Sequence, residues 1–240
     1  MAGSGPKPDD EDPGVGMRDR GKPLGRRLFL TIAGAGAFGN QLQGAVARLT
    51  APIAGAGGGG LGALIPGAAR FRFYTVTGSY PLVPRGRYRL EVNGLVDRAH
   101  SWTYDDLLDA PRAELVSPFQ CVTGWRVPGV HWAGVRLGDL IDLAGPRPEA
   151  EAVEFTSYDG AYTESLTLEE AHRSDVLVAY EMLGAPITRQ HGGPVRLYVA
   201  PMYGYKSIKW LKSVTLVRKA APGFWEQQGY PVQAWFGSYS

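Results

Sequence analysis

Residues 119–145 read FQCVTGWRVPGVHWAGVRLGDLIDLAG, and they hold the only cysteine of the chain, Cys121. The thiol lies between a strand-like run and a loop that carries Trp125 and Trp132. Downstream, Val135, Leu137, Leu140 and Ile141 fall at helical spacing, and Gly145 supplies a stop. Three readings of Cys121 stay open on these residues alone. A lone thiol is most often a small buried hydrophobe. It becomes a nucleophile if a base reaches it in space, and His131 and His191 are the candidates. It can also be a soft thiolate ligand to a metal, whose other ligands would then come from an organic cofactor.

Outward from this stretch, short strands dominate and short helices decorate them. Residues 71–76 are aromatic and β-branched. Residues 87–94 alternate apolar and polar at period two and end on Asn-Gly, which predicts a half-buried strand and a turn. Thr103 and Asp106 have capping-box spacing for a helix through Leu108 that Pro111 closes. A strand at 113–116 leads to the cysteine. Residues 153–157 and 162–166 read as a strand pair around a Tyr158-Asp159-Gly160 turn, and Thr167 with Glu170 forms a second capping box. Strands follow at 176–180, 195–200 and 207–217. The pattern predicts an α+β fold, one compact domain over residues 71–240.

Composition bounds the function. The chain has 240 residues, 44% hydrophobic and 20% charged, which is ordinary for a globular protein. A formal charge of +2 is too small to make nucleic-acid or membrane binding the main activity. One cysteine excludes an internal disulfide and any multi-cysteine zinc or iron–sulfur site within the chain. Residues 1–23 are polar and rich in Gly, Pro and Asp, which predicts disorder. At 24–40, Arg26-Arg27-Leu28-Phe29-Leu30 precedes a short Ala/Gly-rich apolar run. This resembles a twin-arginine export signal, too short to span a bilayer. The alternative is a chance arginine pair before a flexible segment. Gly25 and Thr31 depart from the usual signal pattern, and no clear cleavage site follows, so an uncleaved signal would leave the protein anchored. Residues 41–70 read as a Gly/Ala-rich linker. Its glycines lack a preceding strand and a following Lys-Ser/Thr, which excludes a phosphate-binding loop.

An anionic cofactor beside Cys121 would need cationic and donor groups elsewhere. They occur in two clusters. His191-Gly192-Gly193-Pro194-Val195-Arg196 places His and Arg around a Gly-Gly-Pro turn, and Gly204-Tyr205-Lys206-Ser207-Ile208-Lys209 places two lysines and a serine after a glycine. Arg suits phosphate bidentately and Lys supplies a point charge. Taken singly, each cluster reads equally well as solvated strand-end charge.

In order along the chain stand Cys121-Val122-x-Gly124-Trp125, Trp132-x-Gly134-Val135-x-Leu137, Tyr162-x-Glu164-Ser165-Leu166 and Leu177-x-Ala179-Tyr180. They are followed by His191-Gly192-Gly193-Pro194-x-Arg196-Leu197, Tyr203-Gly204-Tyr205-Lys206-Ser207-x-Lys209-Trp210, and Gly223-Phe224-Trp225 with Gly229-Tyr230. Together these resemble the molybdopterin-binding domain of the sulfite oxidase family, in style nearest its short bacterial periplasmic methionine sulfoxide reductase catalytic subunits. The resemblance implies the sulfite oxidase fold and a molybdenum–molybdopterin cofactor whose metal Cys121 ligates. It implies cofactor contacts from His191, Arg196, Lys206, Ser207 and Lys209, from Tyr74 and Thr75, and from a hydroxyl at Thr156 or Ser157. Phe71 stands where an Asn contact is usual. Arg126, His131 and Tyr158 are candidates for the substrate-facing wall. In true sulfite oxidases Gly-Asn-Arg-Arg follows the cysteine region; here the run is Thr123-Gly124-Trp125-Arg126, so the sulfite-binding arginines are not assured. The implied activity is two-electron oxygen-atom transfer outside the cytoplasm on a small-molecule or protein-bound sulfoxide or related oxide. Electrons would come from an external partner such as a membrane haem subunit or cytochrome. The alternatives are sulfite oxidation, or cofactor binding without turnover.

Overall fold

The computed structural model describes residues 71–236. The expected disordered tail (1–23), signal segment (24–40) and linker (41–70) lie outside the described residues. Ten strands and three short α-helices are described. The strands are β1 (Arg89–Gly94), β2 (His100–Thr103), β3 (Ala113–Gln120), β4 (Arg126–Arg136), β5 (Ala152–Ser157), β6 (Thr163–Thr167), β7 (Val176–Met182), β8 (Ala185–Pro186), β9 (Arg196–Val199) and β10 (Leu211–Val217). The helices are α1 (Tyr104–Asp109), α2 (Leu137–Ala144) and α3 (Leu168–Ala171). The α+β expectation holds.

Both capping boxes form. Thr103 Oγ1 accepts from Asp106 N at 3.0 Å while Asp106 Oδ2 accepts from Thr103 N at 2.8 Å, so Asp serves where Glu is usual. Thr167 and Glu170 do the same at α3. Gly145 ends α2 in the left-handed conformation (φ 69°), its N–H returning to Asp142 O.

Three local expectations are corrected. Trp132 is not in a loop: β4 runs unbroken to Arg136, and Val135 faces Val178 of β7, so the helix begins only at Leu137. Tertiary pairing of an aromatic and β-branched run overrides the helical spacing at 135. Residues 71–76 form no strand, and the last strand starts at Leu211 because residues 207–210 turn.

Two five-stranded sheets carry the domain. One has the order β2-β1-β10-β5-β6, with β1 and β10 parallel and the remaining neighbours antiparallel. In the other, β3, β4, β7 and β8 follow in order and β9 also pairs with β7. β7 is buried on both faces. Val176, Val178 and Tyr180 join the main core with α2 and the first sheet, while Leu177, Ala179 and Met182 join a second cluster with Val127, Val130, Trp132 and Tyr198. Period-two alternation over Val176–Tyr180 thus sends successive residues into two cores, and the register shift opposite Ala133 and Gly134 puts Met182 in the second. On β9, Leu197 and Val199 enter the main core, and Arg196 comes out on the opposite face with Tyr198, toward Trp132 and Phe119. That is how the strand delivers a buried arginine next to the cysteine segment.

Candidate functional site

Cys121 follows β3 directly and sits on a tight turn. Its N–H donates to Trp125 O at 2.9 Å and its carbonyl accepts from Gly124 N at 3.1 Å. Gly124 has φ 93°, a conformation that L side chains adopt only with strain, so glycine fits this turn. The thiol is half-buried, and the one polar contact of Sγ among the described residues is Thr123 Oγ1 at 3.2 Å. The buried-hydrophobe reading therefore does not hold. Neither histidine partners the thiol either. His131 pairs with Val116, four residues back from Gln120 along β3 and about 13 Å away by strand rise. It is exposed in a groove with Arg112, Glu114 and Glu181. His131 does not belong with the cysteine. Arg126 does: it faces Gln120 at the end of the β3–β4 pair and is exposed beside the turn.

The second wall arrives through backbone contact. Gly204 N donates to Gln120 O at 2.7 Å, next to Cys121. The ring of Phe119 lies where any Gly204 side chain would have to be, so only glycine admits this approach. Phe119 in turn lies under Arg196, whose Cζ is 5.3 Å from its ring centroid and 5.6 Å from that of Trp132. Arg196 is 3% exposed. Its guanidinium donates to His191 O and to Ser207 O, both at 2.8 Å, which ties the two predicted cationic clusters together. The Ser207 hydroxyl accepts from Val199 N at 3.0 Å and keeps its own proton to donate. Gly192 (φ 96°) packs against Lys209, whose side chain lies 2.6 Å from the position of an added Cβ.

His191, Arg196 and Lys209 form a cationic cluster. Among the described residues no carboxylate lies within ion-pair distance of Arg196 or Lys209. Burial, with Arg196 and Lys209 adding to it, lowers the His191 pKa to about 3, so the ring is neutral. Burial and then Arg196 bring Lys209 to about 7, against a smaller raising effect of Asp159. Burial lowers Arg196 to about 10. Uncompensated positive charge in a low dielectric favours an anion. One prediction follows from the sign. Folded Lys209 releases its proton near pH 7 and unfolded lysine near 10.5, so the unfolded chain binds more protons between them and cofactor-free protein gains stability as pH rises through that window. Calorimetric melts from pH 6.5 to 9.5 check this, and Lys209→Met is expected to flatten the slope.

The remaining expected contacts divide. Tyr74 joins the cluster through its backbone: its carbonyl accepts from Lys209 Nζ at 2.6 Å. Thr75 follows it, partly buried, while Phe71 and Phe73 meet the His191 ring edge-on at 4.8 and 4.7 Å. Thr156 shares its hydroxyl with Ser213 Oγ (2.6 Å), while Ser157 accepts from Asp159 N (3.1 Å) and, like Ser207, keeps its proton to donate. Tyr158 lies beside the cluster by backbone, its N–H donating to Trp210 O, but its hydroxyl donates to Arg89 O at 2.6 Å and accepts from Arg89 N. It staples β5 to β1 and is not free to face a substrate. Lys206 is also corrected. Its ammonium donates to Glu164 Oε1 (2.8 Å), Ser165 O (3.0 Å) and Glu226 Oε1, which uses its three protons. No donor remains for a phosphate. Sequence reading missed Phe119 and Tyr230; burial, and then the charge of Cys121, raise the Tyr230 pKa. The Gly229-Tyr230 motif was the available signal.

The donor set fits an anionic cofactor bearing a soft metal. A half-exposed thiol suits a soft ion, and buried Arg196 with partly buried Lys209, neither ion-paired among the described residues, and two close-approach glycines suit a phosphate. Among the described residues no group of three His, Cys, Asp or Glu side chains could hold a metal by itself, so further ligands would come from the cofactor.

Comparison with known proteins agrees. The family model of the oxidoreductase molybdopterin binding domain matches residues 77–225. An uncharacterized oxidoreductase of Bacillus subtilis is 35% identical over 164 residues, 65% of this chain and 82% of that protein. A putative protein-methionine-sulfoxide reductase subunit of Azospira oryzae is 32% identical over 155 residues, 65% of this chain but 57% of its own length. The crystal structure of the sulfane dehydrogenase SoxCD from Paracoccus pantotrophus has the same fold, with a TM-score of 0.60 and 24% identity over 71% of this chain and 46% of that one. On the match over residues 77–225 and the coverage of the Bacillus protein, the chain belongs to the oxidoreductase molybdopterin-binding domain family, a molybdenum-dependent oxidoreductase whose cofactor is Mo-molybdopterin.

Proposed function

We propose that this chain transfers an oxygen atom in a two-electron reaction outside the cytoplasm, reducing a sulfoxide or related S- or N-oxide. The observation that carries the reading is the joining of the Cys121 turn to an uncompensated cationic cluster, through the Gly204–Gln120 bond and Phe119. When bound, the molybdenum cofactor supplies the oxygen-atom chemistry; the protein supplies binding, orientation and electrostatics. Cys121 Sγ would hold the metal. Arg196, Lys209 and the Ser207 hydroxyl would hold the phosphate and pterin, and neutral His191 would offer a ring N–H rather than a charge. Exposed Arg126 is the group beside the thiol that can donate to an incoming oxide. Reducing a sulfoxide to a sulfide and water takes up two electrons and two protons. The electrons would come from an external membrane haem subunit or cytochrome.

Two observations support the reductive direction: the Azospira relative bears the name of a methionine sulfoxide reductase subunit, and Thr123-Gly124-Trp125-Arg126 replaces the arginine-rich run of sulfite oxidases. Arg26 and Arg27 support twin-arginine export, which carries folded, cofactor-loaded protein. Among the described residues no helix is long and apolar enough to cross a membrane. Loaded enzyme is expected to oxidise a reduced dye in the presence of a sulfoxide. Sulfite-dependent cytochrome reduction without sulfoxide turnover would overturn the direction. Changing Arg26 and Arg27 to Lys is expected to block export, and unaltered export would remove the signal.

A further inference from the structure

Behind the site lies a buried charge cluster that cofactor binding leaves unexplained. Glu164 on β6, Lys206 on the turn after Tyr203, and Glu226 near the C-terminus are all inside the protein, with Lys206 and Glu164 each 1% exposed. Lys206 bridges both carboxylates. Glu226 also accepts from Gly223 N at 2.8 Å. Glu164 Oε1 accepts from Lys206 and from Ser165 N, while its Oε2 is buried with no partner among the described residues. A single ammonium thus faces two carboxyl groups. Leaving an ionised carboxylate oxygen buried and bare is costly, and protonation of that group lowers the cost by removing the charge. Glu226, with two donors on separate oxygens, is the better anion. Burial also pushes Glu164 above the usual carboxylate range.

The three segments joined here are also tied to one another, and one of them holds the residue before the cysteine. The Lys206 turn is the one whose Gly204 N–H holds Gln120 O. The Glu226 segment carries Tyr230, and the Tyr205 hydroxyl donates to Pro231 O at 2.7 Å. β6 is tied to both, since Phe224 N donates to Thr163 O (2.9 Å) and the Tyr162 hydroxyl donates to Tyr205 O (2.7 Å). Gly223 approaches so closely that an added Cβ would lie 2.7 Å from Glu164 Oε1.

We infer that Glu164, Lys206 and Glu226 form a positioning device, one ion pair plus a neutral Glu164 carboxyl, which sets the Gly204 turn against Gln120 and so fixes where the Cys121 thiol points. The inference deepens the proposed site and rests on Cys121 as metal ligand only for its second readout. The first readout is amide hydrogen exchange at Gly204 in cofactor-free protein. Lys206→Met is expected to speed that exchange about tenfold or more while amides of β7 and β9 keep their protection, the pattern of a local opening. The second readout is the Mo(V) electron paramagnetic resonance spectrum of loaded protein, expected to shift or broaden as thiolate geometry loosens. If Lys206→Met does not fold, Glu226→Gln, which keeps the shape, is measured in its place. Glu164→Gln is expected to keep wild-type exchange at Gly204, because the side chain it replaces is already uncharged. Unchanged Gly204 protection in a folded Lys206 or Glu226 variant overturns the device. Acceleration by Glu164→Gln as large as by Lys206→Met overturns the neutral carboxyl. If the cofactor reading were wrong, there would be no Mo(V) signal at all, while the exchange result would still stand.

Discussion

Alanine at position 121 is expected to abolish turnover. Even partners outside the ligand shell of a metal site cost about 10–100-fold when removed, and a direct ligand costs more, so loaded Cys121→Ala enzyme should lose well over ~100-fold in kcat. Fold stability should barely change. The thiol is half-buried, and among the described residues its one polar contact is Thr123 Oγ1. The comparison to make is therefore kcat in dye-driven sulfoxide reduction beside the melting temperature of the same preparation. Activity lost with the melting temperature kept identifies a chemical role. Activity kept would show that the thiol is not a ligand.

Arg196→Ala is expected to do the opposite, damaging the fold as well as the site. The guanidinium satisfies the carbonyls of His191 and Ser207, two turns that share no strand pairing. Leaving each buried acceptor without a donor costs about 1–3 kcal/mol. Loss of the cation beside Phe119 and Trp132 adds about 0.5–2 kcal/mol. At about 2–4 °C per kcal/mol for a domain of this size, cofactor-free protein should melt roughly 5–30 °C lower. Cofactor content should also fall, since the cluster would then face the anion with Lys209 as its remaining cation. Arg196→Lys is expected to recover little, because an ammonium cannot reach both carbonyls in the fork geometry of arginine. A melting temperature within about 2 °C of wild type for Arg196→Ala would contradict the cross-link.

What was legible in the sequence was local. The capping boxes at Thr103 and Thr167 formed as spaced, and the runs read as strands at 87–94 and 153–157 gave strands over Arg89–Gly94 and Ala152–Ser157, with buried Leu90, Val92, Val153 and Phe155. The helix expected from residue 135 failed by two positions because Val135 and Arg136 are paired with Val178 and Leu177, partners more than forty residues away. No spacing rule sees such a partner. The site shows the same limit. Arg196, Ser207, Lys209 and His191 come together as their motif order implied. Lys206 is adjacent in sequence to Ser207 yet turns into the interior toward Glu164 and Glu226. A lysine beside a glycine turn reads as phosphate-binding until its carboxylate partners, 42 and 20 residues distant, are located. Tyr158 misled for a related reason, since only the structure reveals that its hydroxyl is bound to Arg89.

The proposed chemistry would depend on one bond, from Cys121 Sγ to the metal. X-ray absorption at the molybdenum edge reads it directly, by comparing sulfur neighbours in loaded wild-type protein with those in Cys121→Ser protein. The result expected is one sulfur fewer at the metal in the variant, with the cofactor still bound through Arg196 and Lys209. An identical sulfur count in the two proteins would contradict the ligand role of Cys121.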